Sequence, residues 1–157
     1  MRSHRSLALA IVALLAACGS RRIPGTDIQD NADTRGIVAV IDQYRGASER
    51  RDAPAVLALV SKKYFDDAGT PDPADDLDYE QLKKRIGEDF SKLTALRLDI
   101  GVRQVDVKDD RAQALVYYDS HYRIATRSGG EVAKVASDPH RMQFVREDGA
   151  WKFVSGL

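Results

Sequence analysis

The 157-residue sequence contains one cysteine, Cys18. A lone thiol cannot build a disulfide framework, so the fold must be held by its core. Histidine is scarce as well: His4, His121 and His140 are too few and too scattered to imply a metal cluster. Neither sign of charge is in excess, because 24 Lys and Arg face 24 Asp and Glu. That balance leaves no electrostatic footprint for nucleic acid. A glycine-rich phosphate loop and a nucleophile-elbow motif are both missing, which removes two common routes to nucleotide binding and acyl transfer. The one long apolar run, Leu7 to Ala16, falls short of the about 20 residues a membrane span requires.

What surrounds that run is informative. Met1 to Arg5 is basic, and the small residues Ala16 and Ala17 follow the run. Basic, apolar and small, in that order, read as a secretory signal peptide over residues 1–17. Leu15-Ala16-Ala17-Cys18-Gly19 resembles the bacterial lipobox. The resemblance implies cleavage before Cys18 and lipid on its thiol, hence a protein attached to a membrane. Each buried CH₂ contributes about 0.8 kcal/mol, so two or three acyl chains anchor firmly. Gly19 and Ser20, rather than an aspartate, follow the cysteine. In a Gram-negative cell the resemblance then implies the outer membrane, facing the periplasm. Loss of Arg2 and Arg5 with the signal leaves 22 basic and 24 acidic side chains, still without a basic patch.

Residues 18–33 are polar, contain Pro24 and Gly25, and show no periodicity, so they read as a flexible tether. The domain proper is expected over residues 34–157. Ile37, Val40, Ile41, Tyr44 and Ala47 recur at helical spacing, with Thr34 as the expected N-cap. Asp52 and Pro54 open a second helix. Lys63-Tyr64-Phe65 reads as a short strand and 66–77 as an acidic loop. Its aspartates lack EF-hand spacing, so no metal is assigned. Asp78 and Gln81 form a capping box for a third helix, with Tyr79, Leu82, Ile86, Phe90 and Leu93 inward.

Beyond Thr94 the period changes to two. Leu96 to Val102 alternate on one parity, while Val105 and Val107 continue on the other, which predicts a bulge between them. Turns at 108–111, 128–130 and 147–149 divide the rest into a four-stranded meander. Asp138-Pro139 predicts a break in the third strand, at an edge or a bulge. Three helices followed by four antiparallel strands make an α+β fold, helices packed on one face of a curved sheet.

VIDQYRGASERRDAPAVLALVS, DDRAQALVYY and the closing FVREDGAWKFVSGL resemble the nuclear transport factor 2-like superfamily, with its ketosteroid isomerase-like and polyketide cyclase-like domains. The resemblance implies a cone with an apolar mouth. An isomerase of this type uses a tyrosine and a protonated aspartate as oxyanion donors, and a second aspartate to move the proton. Tyr44 matches the tyrosine, and Asp66 or Asp67 falls where the base aspartate belongs. His140 stands near the place of the oxyanion aspartate, with Asp138 two residues away.

Read as residues alone, these candidates look structural. Tyr44 lies on the apolar stripe, Asp66 and Asp67 begin a solvated loop, and His121 with Asp119 belongs to an outward polar stripe. No catalytic residue is therefore assigned and no cofactor is expected. The expected role is a lipid-anchored envelope protein with a non-catalytic binding or scaffolding domain, meeting a small hydrophobic ligand or another envelope protein. The alternative is an isomerase-, cyclase- or hydrolase-like enzyme acting on a hydrophobic substrate in the cone. Tyr117, Asp119, His121 and Arg123 would line a homodimer interface on the open sheet face.

Overall fold

The computed structural model describes residues 21–126 and 128–157. The expected signal peptide and Cys18 lie outside the described residues. Helix α1 spans Ala32–Glu49 and α2 spans Ala53–Ala58. Two-residue strands β1 (Phe65–Asp66) and β2 (Leu77–Asp78) pair with each other. Then come α3 (Tyr79–Lys92) and the strands β3 (Leu93–Lys108), β4 (Arg111–Ala125), β5 (Glu131–Glu147) and β6 (Ala150–Ser155). These four form an antiparallel meander in chain order. The α+β arrangement is the expected one.

Local chemistry accounts for most boundaries. Asn31, not Thr34, is the N-cap of α1. Its side chain accepts the Asp33 and Thr34 amides at 3.0 and 2.9 Å, and Thr34 Oγ1 accepts the Asn31 amide at 3.2 Å. Thr34 thus closes a capping box from the third helical position. Asp52 caps α2 through the Ala55 amide, and Asp78 with Gln81 closes the box of α3. The predicted bulge is a register shift between Val102 and Gln104, which leaves Arg103 without a partner on β4. Asp148 and Gly149, both at positive φ, turn β5 into β6. That backbone suits an Asp-Gly pair.

Three expectations need correction. The short strand is Phe65–Asp66, which overlaps the expected Lys63-Tyr64-Phe65 only at Phe65, and it takes its partner from the far end of the acidic loop. β5 does not break at Pro139, which pairs with Tyr117 inside a continuous strand. β6 pairs only with residues 143–147 of β5. Residues 131–142 are therefore an edge, where a missing amide donor is tolerated. Within the expected tether, Arg22 bridges Gln29, Ile23 and Ile28 close a turn, and Ile28 is buried. Ordered backbone thus begins ahead of residue 34.

The core lies between α1 and one face of the sheet. Ile37, Val40 and Ile41 of α1 pack with Ala112, Ala114, Val116, Met142, Phe144, Trp151 and Phe153. Among the described residues no helix covers the opposite sheet face, and there Leu115, Tyr117 and Val135 stand exposed. No helix among the described residues is long and apolar enough to cross a membrane.

After β6 the chain turns back into the cone at Gly156. A Cβ there would lie 2.2 Å from the Arg141 carbonyl oxygen, and φ is +92°. Both sterics and backbone demand glycine. Gly156→Ala should lower the unfolding free energy by about 1–3 kcal/mol in urea titration. An unchanged midpoint would contradict the placement of this segment.

Candidate functional site

The inner face of the sheet is apolar near the turns and polar toward the opposite end. Register places Val102, Val116 and His140 side by side, then Ile100, Tyr118 and Asp138, then Leu98, Ser120 and Ala136. The base of the cone is filled, with the Phe144 and Phe153 rings 4.7 Å apart over a buried Met142. A cavity of about 270 Å³ remains at the mouth. α1 contributes Tyr44 and Ser48 to it, α3 Phe90, β3 Leu96 and Leu98, β4 Tyr118 and Ser120, β5 Asp138 and His140. Gly156 and Leu157 close it on the remaining side.

Aromatic edges fix this wall. The Tyr44 ring meets Phe153 at 5.5 Å and Tyr118 edge-on at 6.5 Å, and Tyr118 meets His140 at 4.5 Å. Such edge-to-face contacts lock ring orientation. The Tyr118 hydroxyl and Ser48 Oγ are buried, and neither has a hydrogen-bond partner among the described residues. Burial pushes the Tyr118 hydroxyl well above the ordinary phenol value, and the nearby Tyr44 adds to the shift. Burial raises the Tyr44 hydroxyl too, offset in part by the hydroxyls of Tyr118 and Ser48. The three hydroxyls feel one another, yet Tyr118 and Ser48 are not aligned for a bond. Leaving a buried hydroxyl unpaired costs about 1–3 kcal/mol. With Arg146 Nε, these two hydroxyls are the buried side-chain polar atoms without a hydrogen-bond partner among the described residues.

The expected site residues divide. Tyr44 and His140 come to the same cavity, as the isomerase resemblance implies. Asp66 does not. Its carboxylate accepts the Ala68 amide at 3.0 Å, the Gly156 amide at 2.6 Å and the Tyr64 hydroxyl at 3.2 Å. With both oxygens engaged, Asp66 holds the chain end against the cone. Asp67 accepts the Gly69 amide at 3.0 Å and faces a separate depression beside Lys63, Phe65 and Arg111. The acidic loop spends other carboxylates likewise: Asp72 accepts from Ala74, and Asp75 from Thr70. Among the described residues no three His, Cys, Asp or Glu side chains gather as metal ligands. His121 lies 3.6 Å from Asp119 on the outer face.

Tyr118, Ser120 and Ser48 line the cavity as well, and none is among the expected site residues. Tyr118 and Ser120 share the parity of the core residues Ala114 and Val116, a signal already legible in the alternation. Ser48 gave none, because its burial depends on where α1 crosses the sheet.

An unpaired hydroxyl makes a specific prediction. Tyr118→Phe should leave stability unchanged or raise it by up to about 1 kcal/mol, since it removes a desolvated polar group and little packing. Because burial favours the neutral phenols of Tyr44, Tyr64 and Tyr118, folding stability should fall as pH rises from about 10 toward their raised values. Denaturant titrations across that range should show a shallower decline in the variant. A destabilised variant with an unchanged slope would place the hydroxyl in a satisfied network instead.

No protein-family model matches the chain, and no curated protein gives a match. Solved structures do. A candidate scytalone dehydratase from Novosphingobium aromaticivorans superposes with a TM-score of 0.68 at 13% identity, over 79% of this chain and 80% of that one. A candidate aromatic ring hydroxylase from the same organism gives 0.66 at 15% identity, over 82% and 89%. A candidate dehydratase of the NTF2-like family from Streptomyces avermitilis gives 0.59 at 17% identity, over 79% and 93%. At these identities the likeness is one of fold. The chain has the nuclear transport factor 2-like fold, with helices closing a curved antiparallel sheet into a cone.

Proposed function

We propose that this protein is a lipid-anchored envelope protein whose cone binds a small, largely apolar molecule without transforming it. One observation carries the binding reading: buried hydroxyls without partners line the wall of an open cavity. A ligand oxygen or nitrogen seated there would accept hydrogen bonds from these hydroxyls. Tyr118 and Ser48 would donate to it, Tyr44 would stand beside them, and Phe90, Leu96 and Leu98 would hold the apolar remainder.

A catalytic reading, with an isomerase-, cyclase- or hydrolase-like enzyme acting on a hydrophobic substrate, also has support. Tyr44 and His140 share the cavity, Asp138 stands with them, and several solved neighbours carry dehydratase or hydroxylase names. Binding alone is preferred because the position of the base is spent. Asp66 is not among the residues that line the cavity, and its carboxylate is committed to the Ala68 and Gly156 amides and the Tyr64 hydroxyl. Anchoring rests on the sequence: a basic, apolar and small-residue leader ends at the only cysteine.

Two measurements test these parts. Cyclohexanone, a compact carbonyl probe, should shift the amide resonances of Ser48, Leu98 and Tyr118, and the response should be lost in Tyr118→Phe. Shifts scattered over the surface, or equal shifts in the variant, would refute the cone as the site. Protein extracted from membranes should begin at an acylated Cys18 by mass spectrometry. An unmodified Cys18 within a longer chain would refute the anchor.

A further inference from the structure

A cavity of about 270 Å³ is small for a ligand site, since such pockets usually span about 300–1,000 Å³. A second cavity, of about 330 Å³, lies against the same face of the sheet. Leu96 and Ser120 line both. The second one runs between the end of α3 and the far ends of β3 and β4, over Leu93, Leu96, Tyr122 and Ile124. Register sets Val132 of β5 beside Ile124, and Val132 is 45% exposed. Large apolar side chains thus continue the wall of the cone beyond its mouth, where only the end of α3 lies beside them.

Resting on the reading of the cone as a binding site, we propose that cone and groove form one site for an elongated neutral amphiphile. Its hydrogen-bond acceptor meets the Tyr118 and Ser48 hydroxyls. Its apolar tail runs outward over Leu96, Tyr122 and Ile124. Length supports this. Tyr118 and Ile124 are six residues apart on one extended strand, about 20 Å at the rise of a β-strand. A single acyl tail, half of the ~30 Å hydrocarbon core of a bilayer, spans about 15 Å. Charge supports the neutral head. No Lys or Arg lines the cone cavity, whereas Asp138 does, so an anionic head would enter against a carboxylate. The cation at the groove, Lys92, already pairs with Asp89 at 3.2 Å.

The test is a chain-length series on the folded protein, with 2-hexanone, 2-octanone, 2-decanone and 2-dodecanone as probes followed by titration calorimetry. Affinity should rise roughly twofold for each added methylene, about half the gain expected for full burial, because one side of the groove is open to water. Ile124→Glu should bring 2-dodecanone back toward the affinity of 2-hexanone while leaving 2-hexanone unchanged. Should Ile124→Glu fold poorly, Val132→Glu, at a more exposed position, should act in the same direction. Dodecanoate should bind more weakly than 2-dodecanone. Equal affinities along the series, with 2-hexanone bound, would overturn the groove and leave the cone standing. No binding of any ketone would overturn both. A carboxylate that binds as tightly as the ketone would overturn the neutral head.

Discussion

The structure depends on how closely α1 can approach the sheet. The helix presents Ile37, Val40 and Ile41, all buried in one core with Ala112, Ala114 and Val116 of β4, and it runs closest to β3 and β6. Gly36, where a Cβ would lie 2.9 Å from Trp151 Cδ1, lets the helix settle close to the sheet, and Met142, Phe144 and Phe153 fill the core alongside. Full burial of a Val, Leu, Ile or Phe side chain is worth about 1.5–3 kcal/mol, so this one contact supplies much of the stability of a chain without disulfides. It also decides where space remains. Bulky residues seal the base, and the cone stays open only toward Tyr44, Tyr118 and the chain end.

Chemistry at the mouth follows from that packing. Tyr44 is drawn inward because its ring continues the apolar stripe, and its hydroxyl is carried to the boundary of the core. Tyr118 is drawn inward by alternation along β4, and its hydroxyl is desolvated with nothing placed to receive it. Asp66, the residue at the expected base position, anchors the returning chain at Gly156 through its carboxylate. The same geometry that closes the cone holds Asp66 at the chain end, while Tyr44 and His140 line the cavity. What survives is a polar, water-poor corner beside an apolar wall, which is a description of a binding site.

Much of this was legible in the residues. Alternation along β4 and the change of parity after Val102 located the sheet and its bulge, because a period of two leaves little choice of face. Asp52, Asp78 and Gln81 announced helix starts through side-chain hydrogen bonds made within a few residues. Local signals failed where the decision was tertiary. Pro139 looked like a break, yet β6 is too short to pair beside it, so the strand continues as an edge. Asp66 looked like a candidate base, and only contact with residue 156, far along the chain, shows otherwise. Thr34 is the cap the sequence suggests, yet the backbone makes it the third-position half of a box that Asn31 opens.

The central claim is that the buried hydroxyls of the cone exist to meet a ligand. Its most direct test is a high-resolution crystal structure of the protein purified from the cells that make it. The account predicts elongated non-protein density, with a polar atom 2.7–3.0 Å from the Tyr118 hydroxyl and a tail leading past Leu96 toward Ile124. A cone holding only water, with Tyr44, Ser48 and Tyr118 bonded to one another, would contradict it.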